Sequence, residues 1–354
     1  LGALDTSALA DGLFLPVSEQ NHLRQQAIEQ LLLRRDWAHE AKAAERRTRV
    51  EEAAAAIPRV SPPHVDTHKP FELTAQVYRI EDADAAAANG ATEICFDPFL
   101  RHPSPPLARI RALHERLSAE GVRLRLRTPT IVRPEERKSI QKWLDLGLPI
   151  LSGHLGLVAE LSREGRDVIA DYAVNVFNAH TAAELFRLGA RRIVASVELT
   201  GDELSQLVAP WDGNGFDVFL FGRPEGMTIE HCVLSAAFDR EPTTCRDLCV
   251  QKHVDVELTD PTGYTFPVAT DSACRNRLLH SRPIDGAEFL PRLWRAGIRG
   301  YHMVFNVAGD DVASIVRGYR AALDALAAGA KPDLDAVRRA VGSEFTRGHF
   351  ARAV

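Results

Sequence analysis

From Glu72 onward the chain repeats one pattern: a short apolar run, an amphipathic stretch, and often a glycine before the next run. The runs are 72–78, 91–97, 123–129, 149–155, 168–176, 191–198, 216–222 and 298–305. Their length and β-branched or aromatic content read as strands, whereas 107–120, 134–146, 179–188, 201–208 and 309–328 carry helical patterns. Gly90, Gly121, Gly147, Gly189 and Gly297 fall where helix C-caps belong, because glycine takes the left-handed conformation without steric cost. Eight strand–helix units over about 260 residues are the size of a (β/α)8 barrel. A doubly wound open sheet is the rival, weakened by the lack of G-x-G-x-x-G after the first strand. The expected fold is α/β: a TIM-like (β/α)8 barrel with an N-terminal helical segment and a cysteine-rich insertion between strands 7 and 8.

That insertion is where the rhythm breaks, since strands 7 and 8 are separated by 75 residues (223–297). Four of the chain's five cysteines lie there, Cys232, Cys245, Cys249 and Cys274, spaced C-x12-C-x3-C-x24-C. Four thiolates match the ligand count of a tetrahedral zinc or an iron–sulfur cluster, although the spacing is neither a zinc-ribbon nor a ferredoxin pattern. Four unrelated core cysteines are the bland alternative. Within the insertion, 254–258 and 264–269 flank Thr259-Asp260-Pro261-Thr262-Gly263 and read as a hairpin. Because the insertion leaves the C-terminal end of strand 7, it belongs at the end of a barrel that carries active sites.

Barrel geometry directs attention to the other strand C-termini: His154, Asn175, Asn178, Glu198, Arg223, Glu225, His302 and Asn306. Asn175 and Asn178 are equally good helix caps for the segment near Thr181. Glu198 ends an apolar strand, where a carboxylate needs a partner or a task. Arg223 can clamp a carboxylate or phosphate, or pair with Glu198. His231, beside Cys232, is read as a structural residue first, and otherwise as a fifth candidate ligand or a donor to a thiolate. Arg246 and Arg275 follow Cys245 and Cys274 and would offset thiolate charge. Asp271 caps the turn before Cys274, and Cys95 reads as core.

The expected divisions are a helical segment and linker at 1–60, a barrel at 65–330 with its insertion at 224–283, and a tail at 331–354. In the first segment Leu13-Phe14-Leu15-Pro16 could close a short strand, with Ser18 capping a helix over 19–35 and a second helix over 36–56. The Arg46-Arg47-x-Arg49 run reads as a solvated helix face. Ile57–Pro70, with four prolines, reads as a linker. Net charge is −5, which leaves no overall basic footprint for nucleic acid. No apolar run nears the roughly 20 residues that span a bilayer. An odd cysteine count argues against a disulfide framework and for a reducing, cytoplasmic setting. H-E-x-x-H, G-x-S-x-G, the phosphate-cradling G-x-x-x-x-G-K and C-x3-C-x2-C are all absent.

Several segments together resemble peptidase family U32. Ser18-Glu19-Gln20-Asn21-His22-Leu23-Arg24 is similar to the family's S-E-L-N-x-L-R-R helix start. The stretch 174–199 (VNVFNAHTAAELFRLGARRIVASVEL) resembles its L-N-x-F-N-S-x-T-A … L-G … S-x-E-L segment. Gly222-Arg223 with Met227 and Cys232 looks like G-R-x-x-M … C, and 258–281 resembles L-x-D-R-x-G-x-x-F-P-V … D-x-x-C-R … N-S. Departures are Gln20 in place of Leu, His280 in place of Asn, and a final strand, Tyr301–Asn306, without the family's Arg after the aromatic.

The resemblance implies a barrel-like domain with a 4Fe–4S cluster on Cys232, Cys245, Cys249 and Cys274, zinc being the alternative metal. It also implies oxygen-independent hydroxylation of an RNA base, a ribosomal cytidine or a transfer-RNA uridine, or of a small aromatic ring as in ubiquinone synthesis. For the RNA hydroxylases it implies prephenate as a co-substrate. In longer members such segments follow an N-terminal barrel, so a chain opening on Leu1 is expected to be the C-terminal part of a larger polypeptide. Arg223 would hold an anionic group, and Glu198 and Asn175 would orient the ring. The alternatives are a peptidase, as the family name says, and a non-catalytic metal-stabilised module that binds RNA.

Overall fold

The computed structural model describes residues 7, 8, 10, 12, 14–56, 60–62, 70–241, 244–245, 248–251 and 255–352. It divides into two compact units, Leu1–Pro58 and Arg59–Val354.

In the first unit Val17–Ala55 is one continuous 39-residue helix, not two. Asp36 carries no helix-breaking signal strong enough to interrupt an Ala-, Glu- and Arg-rich run. The N-cap is Pro16, not Ser18, which lies in the first turn. Phe14–Pro16 form no strand, and Leu13 lies outside the described residues. Arg49 pairs with Glu45 one turn back, as on a solvated helix face.

The second unit is a closed barrel. Strands β1 (Glu72–Val77), β2 (Glu93–Phe96), β3 (Arg123–Arg127), β4 (Ile150–Ser152), β5 (Val168–Ala170), β6 (Arg192–Val194) and β7 (Phe216–Gly222) follow in order. The insertion supplies β8 (Glu225–Ile229), β9 (Val256–Thr259), β10 (Thr265–Thr270), β11 (Asn276–Leu279) and β12 (Ile284–Asp285) before the last barrel strand, β13 (Gly300–Phe305). Neighbouring barrel strands are all parallel, β13 pairs with both β1 and β7, and β6 pairs with β7. The ring is therefore shut, which removes the open-sheet rival.

The expected strands fall in the right places but several are shorter. β4, β5 and β6 have three residues each. After β5 the chain turns at once into the tight helical turn Tyr172–Val174. Helices Ile80–Ala88 and Leu155–Arg163 complete the alternation.

The apolar core lies outside the barrel wall. Leu73, Ala75, Ile94, Phe96, Leu124 and Leu126 are all buried in it. Alternate residues point inward, and they are polar. Thr74 donates to Glu93, and His302 bonds Gln76 at 3.0 Å. Arg125 holds Glu93 (3.0 Å) and Asp167 (3.2 Å), and Arg192 bridges Glu93 and Asp217. Strand β3 thus reads Arg-Leu-Arg-Leu-Arg because its arginine face looks into the barrel. Arg125 and Arg127 are each 1% exposed, a burial that only paired guanidinium groups sustain. Burial lifts the Asp217 carboxyl to about 6 against the pull of Arg192. Gly300 on β13 leaves the space this carboxylate occupies, since a Cβ there would collide with Asp217 Oδ1.

The insertion folds as an antiparallel sheet of order β8-β11-β10-β9. The expected hairpin is present, with Thr259 opposite Thr265; residue 254 lies outside the described residues. Residues 331–352 pack on the barrel and do not trail from it. The helix Leu334–Val341 buries Val337, and Phe350 stacks on Phe289 at 5.1 Å. At the other end of the unit, Trp211 Nε1 donates to Val60 O at 2.8 Å, so the segment after the first unit is already fastened to the barrel.

Candidate active site and cysteine cavity

Two cavities meet the insertion. The first, about 230 Å³, opens at the C-terminal mouth of the barrel. Tyr172 and Asn175 after β5, Glu198 after β6, and Glu225, Met227 and Thr228 of β8 are among the residues that line it. One lining residue, Glu225, belongs to a buried ionic network. Arg127 Nε donates to Asp171 Oδ2 (2.9 Å), and its Nη1 donates to Asp97 Oδ2 (3.0 Å) and to Glu225 Oε1. Arg277 Nη1 reaches the same two acids, at 3.0 Å to Asp97 Oδ2 and 3.3 Å to Glu225 Oε1. Burial opposes ionisation of Glu225, but Arg127 and Arg277 outweigh it and hold the carboxyl at about 2. Tyr172 OH accepts from the Glu225 backbone N–H at 3.2 Å. Burial, together with the Glu225 charge, pushes its phenol far above the usual range.

The second cavity, about 80 Å³, lies within the insertion. All four clustered cysteines line it, with His102 and Ser235 among the other lining residues. Cys232 is buried and is the N-cap of the short helix Val233–Ala237. Cys245 and Cys249 are half-buried. Cys274, which also lines the cavity, sits in the left-handed region at φ 59°, an uncommon place for a residue with a side chain. Burial raises the Cys249 thiol, and the other three cysteines add to the rise through their charge, which shows how near the four are to one another. His102, on the loop after β2, shares a hydrogen bond with Ser272 Oγ at 3.1 Å. The Ser235 hydroxyl is buried with no hydrogen-bond partner among the described residues. A buried donor in that condition calls for something in the cavity to receive it.

Four consecutive residues join the two cavities. Cys274 lines the second. Arg275 is locked to Asp271 (3.1 Å) and Glu136 (3.0 Å). Asn276 accepts from the N–H of Val233, the residue after Cys232, and donates to Thr270. Arg277 reaches Asp97 and Glu225, the latter lining the first cavity.

The profile of peptidase family U32 matches residues 107–353, which include the four cysteines of the second cavity, Glu198, Glu225 and Arg277. The chain belongs to peptidase family U32. The Ser18–Arg24 resemblance lies outside that match. No curated protein matches. Among solved structures the U32 peptidase Mk0906 is 12% identical, with TM-score 0.39, covering 69% of this chain and 96% of that one. Thiamine phosphate pyrophosphorylase from Pyrococcus furiosus is 10% identical (TM-score 0.38, 78% and 100%). Dihydropteroate synthase from Thermus thermophilus is 14% identical (TM-score 0.37, 76% and 98%).

Within this U32 chain the residues singled out from sequence divide into groups. Asn175, Glu198 and Glu225 come together at the mouth cavity. Asn175 adopts φ 66° and accepts from Ser196 Oγ at 2.8 Å, so it does not cap the following helix. Asn178 does, accepting from Thr181 N at 3.0 Å. His154 likewise caps Leu155–Arg163 through Nδ1. Arg223 neither pairs with Glu198 nor lines the mouth cavity. Gly222, at φ 120° and against Val304 O, turns the chain so that Arg223 donates to the carbonyls of His280 and Ser281. Its Nε is buried without a hydrogen-bond partner among the described residues, and burial lowers its pKa against the pull of Asp310 and Glu257. Burial lifts Asp310 to about 7 against the pull of Arg223. Asn306 donates to Arg223 O, and His302 is enclosed in the barrel against Gln76.

Around the cysteines, His231 is exposed and does not line the cavity; His102, from a distant loop, does. Arg275 serves Asp271 and Glu136 instead of the thiols, and Arg246 lies outside the described residues. Asp271 accepts from Ala273 N and Arg275 N, as a turn cap should. Cys95 is fully buried among the core residues, as expected, and burial raises its thiol well above the usual range. Sequence reading missed Asp97, Arg127, Asp171 and Arg277. The one available signal was the Arg-Leu alternation of 123–127.

Proposed function

We propose that this U32 chain is an iron–sulfur protein that hydroxylates an RNA base without molecular oxygen. Cys232, Cys245, Cys249 and Cys274 would hold a 4Fe–4S cluster, and the base would bind at the barrel mouth. The observation that carries the reading is the convergence of four thiols and one orphaned hydroxyl, Ser235, on a single cavity. The all-thiol donor set fits a cluster or a tetrahedral zinc, and the family resemblance favours the cluster. Zinc draws thiolates to about 2.3 Å from one point. When bound, the cluster would supply redox or Lewis-acid chemistry. Ser235 would donate a hydrogen bond to it, and Asn276 would fix the backbone on which Cys232 and Cys274 stand.

At the mouth, Glu198, Glu225 and Asn175 would orient the ring. An anionic co-substrate such as prephenate would belong on the Arg223 side, because no basic side chain is among the described residues lining the mouth cavity. The peptidase reading is weaker, since that lining offers no cysteine or serine nucleophile beside a histidine. Mass spectrometry of nucleosides from cells lacking the chain tests the proposal. A hydroxylated nucleoside should disappear, return with the wild-type chain and stay absent with Cys249→Ser. An unchanged nucleoside profile would refute the RNA reading.

A further inference from the structure

The mouth cavity has a charge character that the proposed function does not specify. Its described lining contains two carboxylates, Glu198 and Glu225, and no lysine, arginine or histidine. The network that Glu225 belongs to adds no excess positive charge, because Arg127 and Arg277 face three acids, Asp97, Asp171 and Glu225. Both guanidinium groups address Glu225 through Oε1, so the carboxylate is fixed in place as well as ionised. Asn175 and Thr228 offer further polar contact, while Met227 and Tyr172 give apolar and aromatic wall. At about 230 Å³ the space is smaller than the usual drug-sized pocket and suits one compact group.

We infer that this cavity selects a compact ring bearing N–H donors, neutral or cationic, and rejects anions. The inference rests on the reading that substrate binds at the barrel mouth, and it narrows that substrate's class. An anion entering here would meet Glu198 and Glu225 with no cation to receive it, and an isolated charge is costly to desolvate. A ring amine, amide or amidine would find two carboxylate acceptors, one of them, Glu225, held in place by Arg127 and Arg277.

The chain supplies its own reporter. It has only two methionines: Met227 lines the cavity at 55% exposure, and Met303 is fully buried in β13. With methyl-labelled methionine, NMR titrations of benzamidine, benzamide and benzoate vary charge on one ring. The expected order of affinity is benzamidine, then benzamide, with benzoate not binding, and only the Met227 methyl should shift. Glu198→Gln should weaken benzamidine about fivefold, the effect of losing one partly solvated charge contact. It should leave benzamide little changed, and the distant exposed Glu115→Gln should alter neither. Benzoate binding as tightly as benzamidine would overturn the inference, as would a Met227 methyl that no probe moves. Neither result depends on cluster content, so a failed cluster assay and a failed selectivity assay are distinguishable.

Discussion

The two cavities are joined by four consecutive residues, yet they are built on opposite principles. The barrel-mouth cavity is joined through Glu225 to charges already paired inside the protein: Arg127 and Arg277 with Asp97, Asp171 and Glu225. The cysteine cavity gathers four thiols, one of them on a left-handed backbone, around a buried Ser235 hydroxyl that has no hydrogen-bond partner among the described residues. A finished network rigidifies and orients; an unfinished one waits for a guest. On the proposed function, the mouth would orient a ligand and the insertion would retain a prosthetic group.

The largest break in this contrast should come from Arg277→Met. It leaves Asp97 and Glu225 buried with one guanidinium between them, and loss of one partner from a buried ionic set costs about 3–5 kcal/mol. Urea unfolding of the second unit measures it. A loss under 1 kcal/mol would mean that the network is not what fastens the insertion to the barrel.

Acid sharpens the same point. Glu225, held at about 2 in the folded chain, contributes stability that is fully present above its ordinary carboxyl value and fades as pH falls from there toward 2. Unfolding followed between pH 5 and 2.5 should show that slope, and Glu225→Gln should flatten it. Asp310 has the opposite sign. Its folded value of about 7 lies above the unfolded 3.8, so the folded state holds the proton more tightly and stability falls as pH rises between those values. Asp310→Asn should therefore gain about 1 kcal/mol relative to wild type at pH 8, after allowance for solvent screening, and little at pH 4. Equal gains at both pH values would contradict the burial argument.

Two smaller effects separate scaffold from site. Asn178→Ala should cost about 1 kcal/mol, the loss of an N-cap, and leave mouth-cavity ligand binding unchanged. Ser235→Ala should leave stability nearly unchanged but, on the proposed function, lower the reduction potential of the proposed cluster by roughly tens of millivolts, the scale of one weak hydrogen bond. An unaltered potential would mean that the hydroxyl does not face the cluster.

The architecture was legible because it is written in local patterns. Strand runs, glycine C-caps and one oversized interval suffice to give a barrel with an insertion at its active end. What could not be read was the pairing across long separations. Arg127 is bound by residues 30, 44 and 98 positions away, and no local period records such a partner. The same limit explains Arg223, whose neighbours are set by the turn at Gly222 and by β11, and His102, brought to the cysteines from the loop after β2. Asn178 and His154 look like site residues in sequence because the C-terminal ends of barrel strands are also where the next helices need caps.

Iron and acid-labile sulfide analysis of the chain purified without oxygen tests the central claim most directly. The account predicts a brown protein with about four iron and four sulfide per chain, both lost in Cys249→Ser. A colourless protein carrying one zinc and no iron, with metal content unaffected by Cys249→Ser, would contradict it.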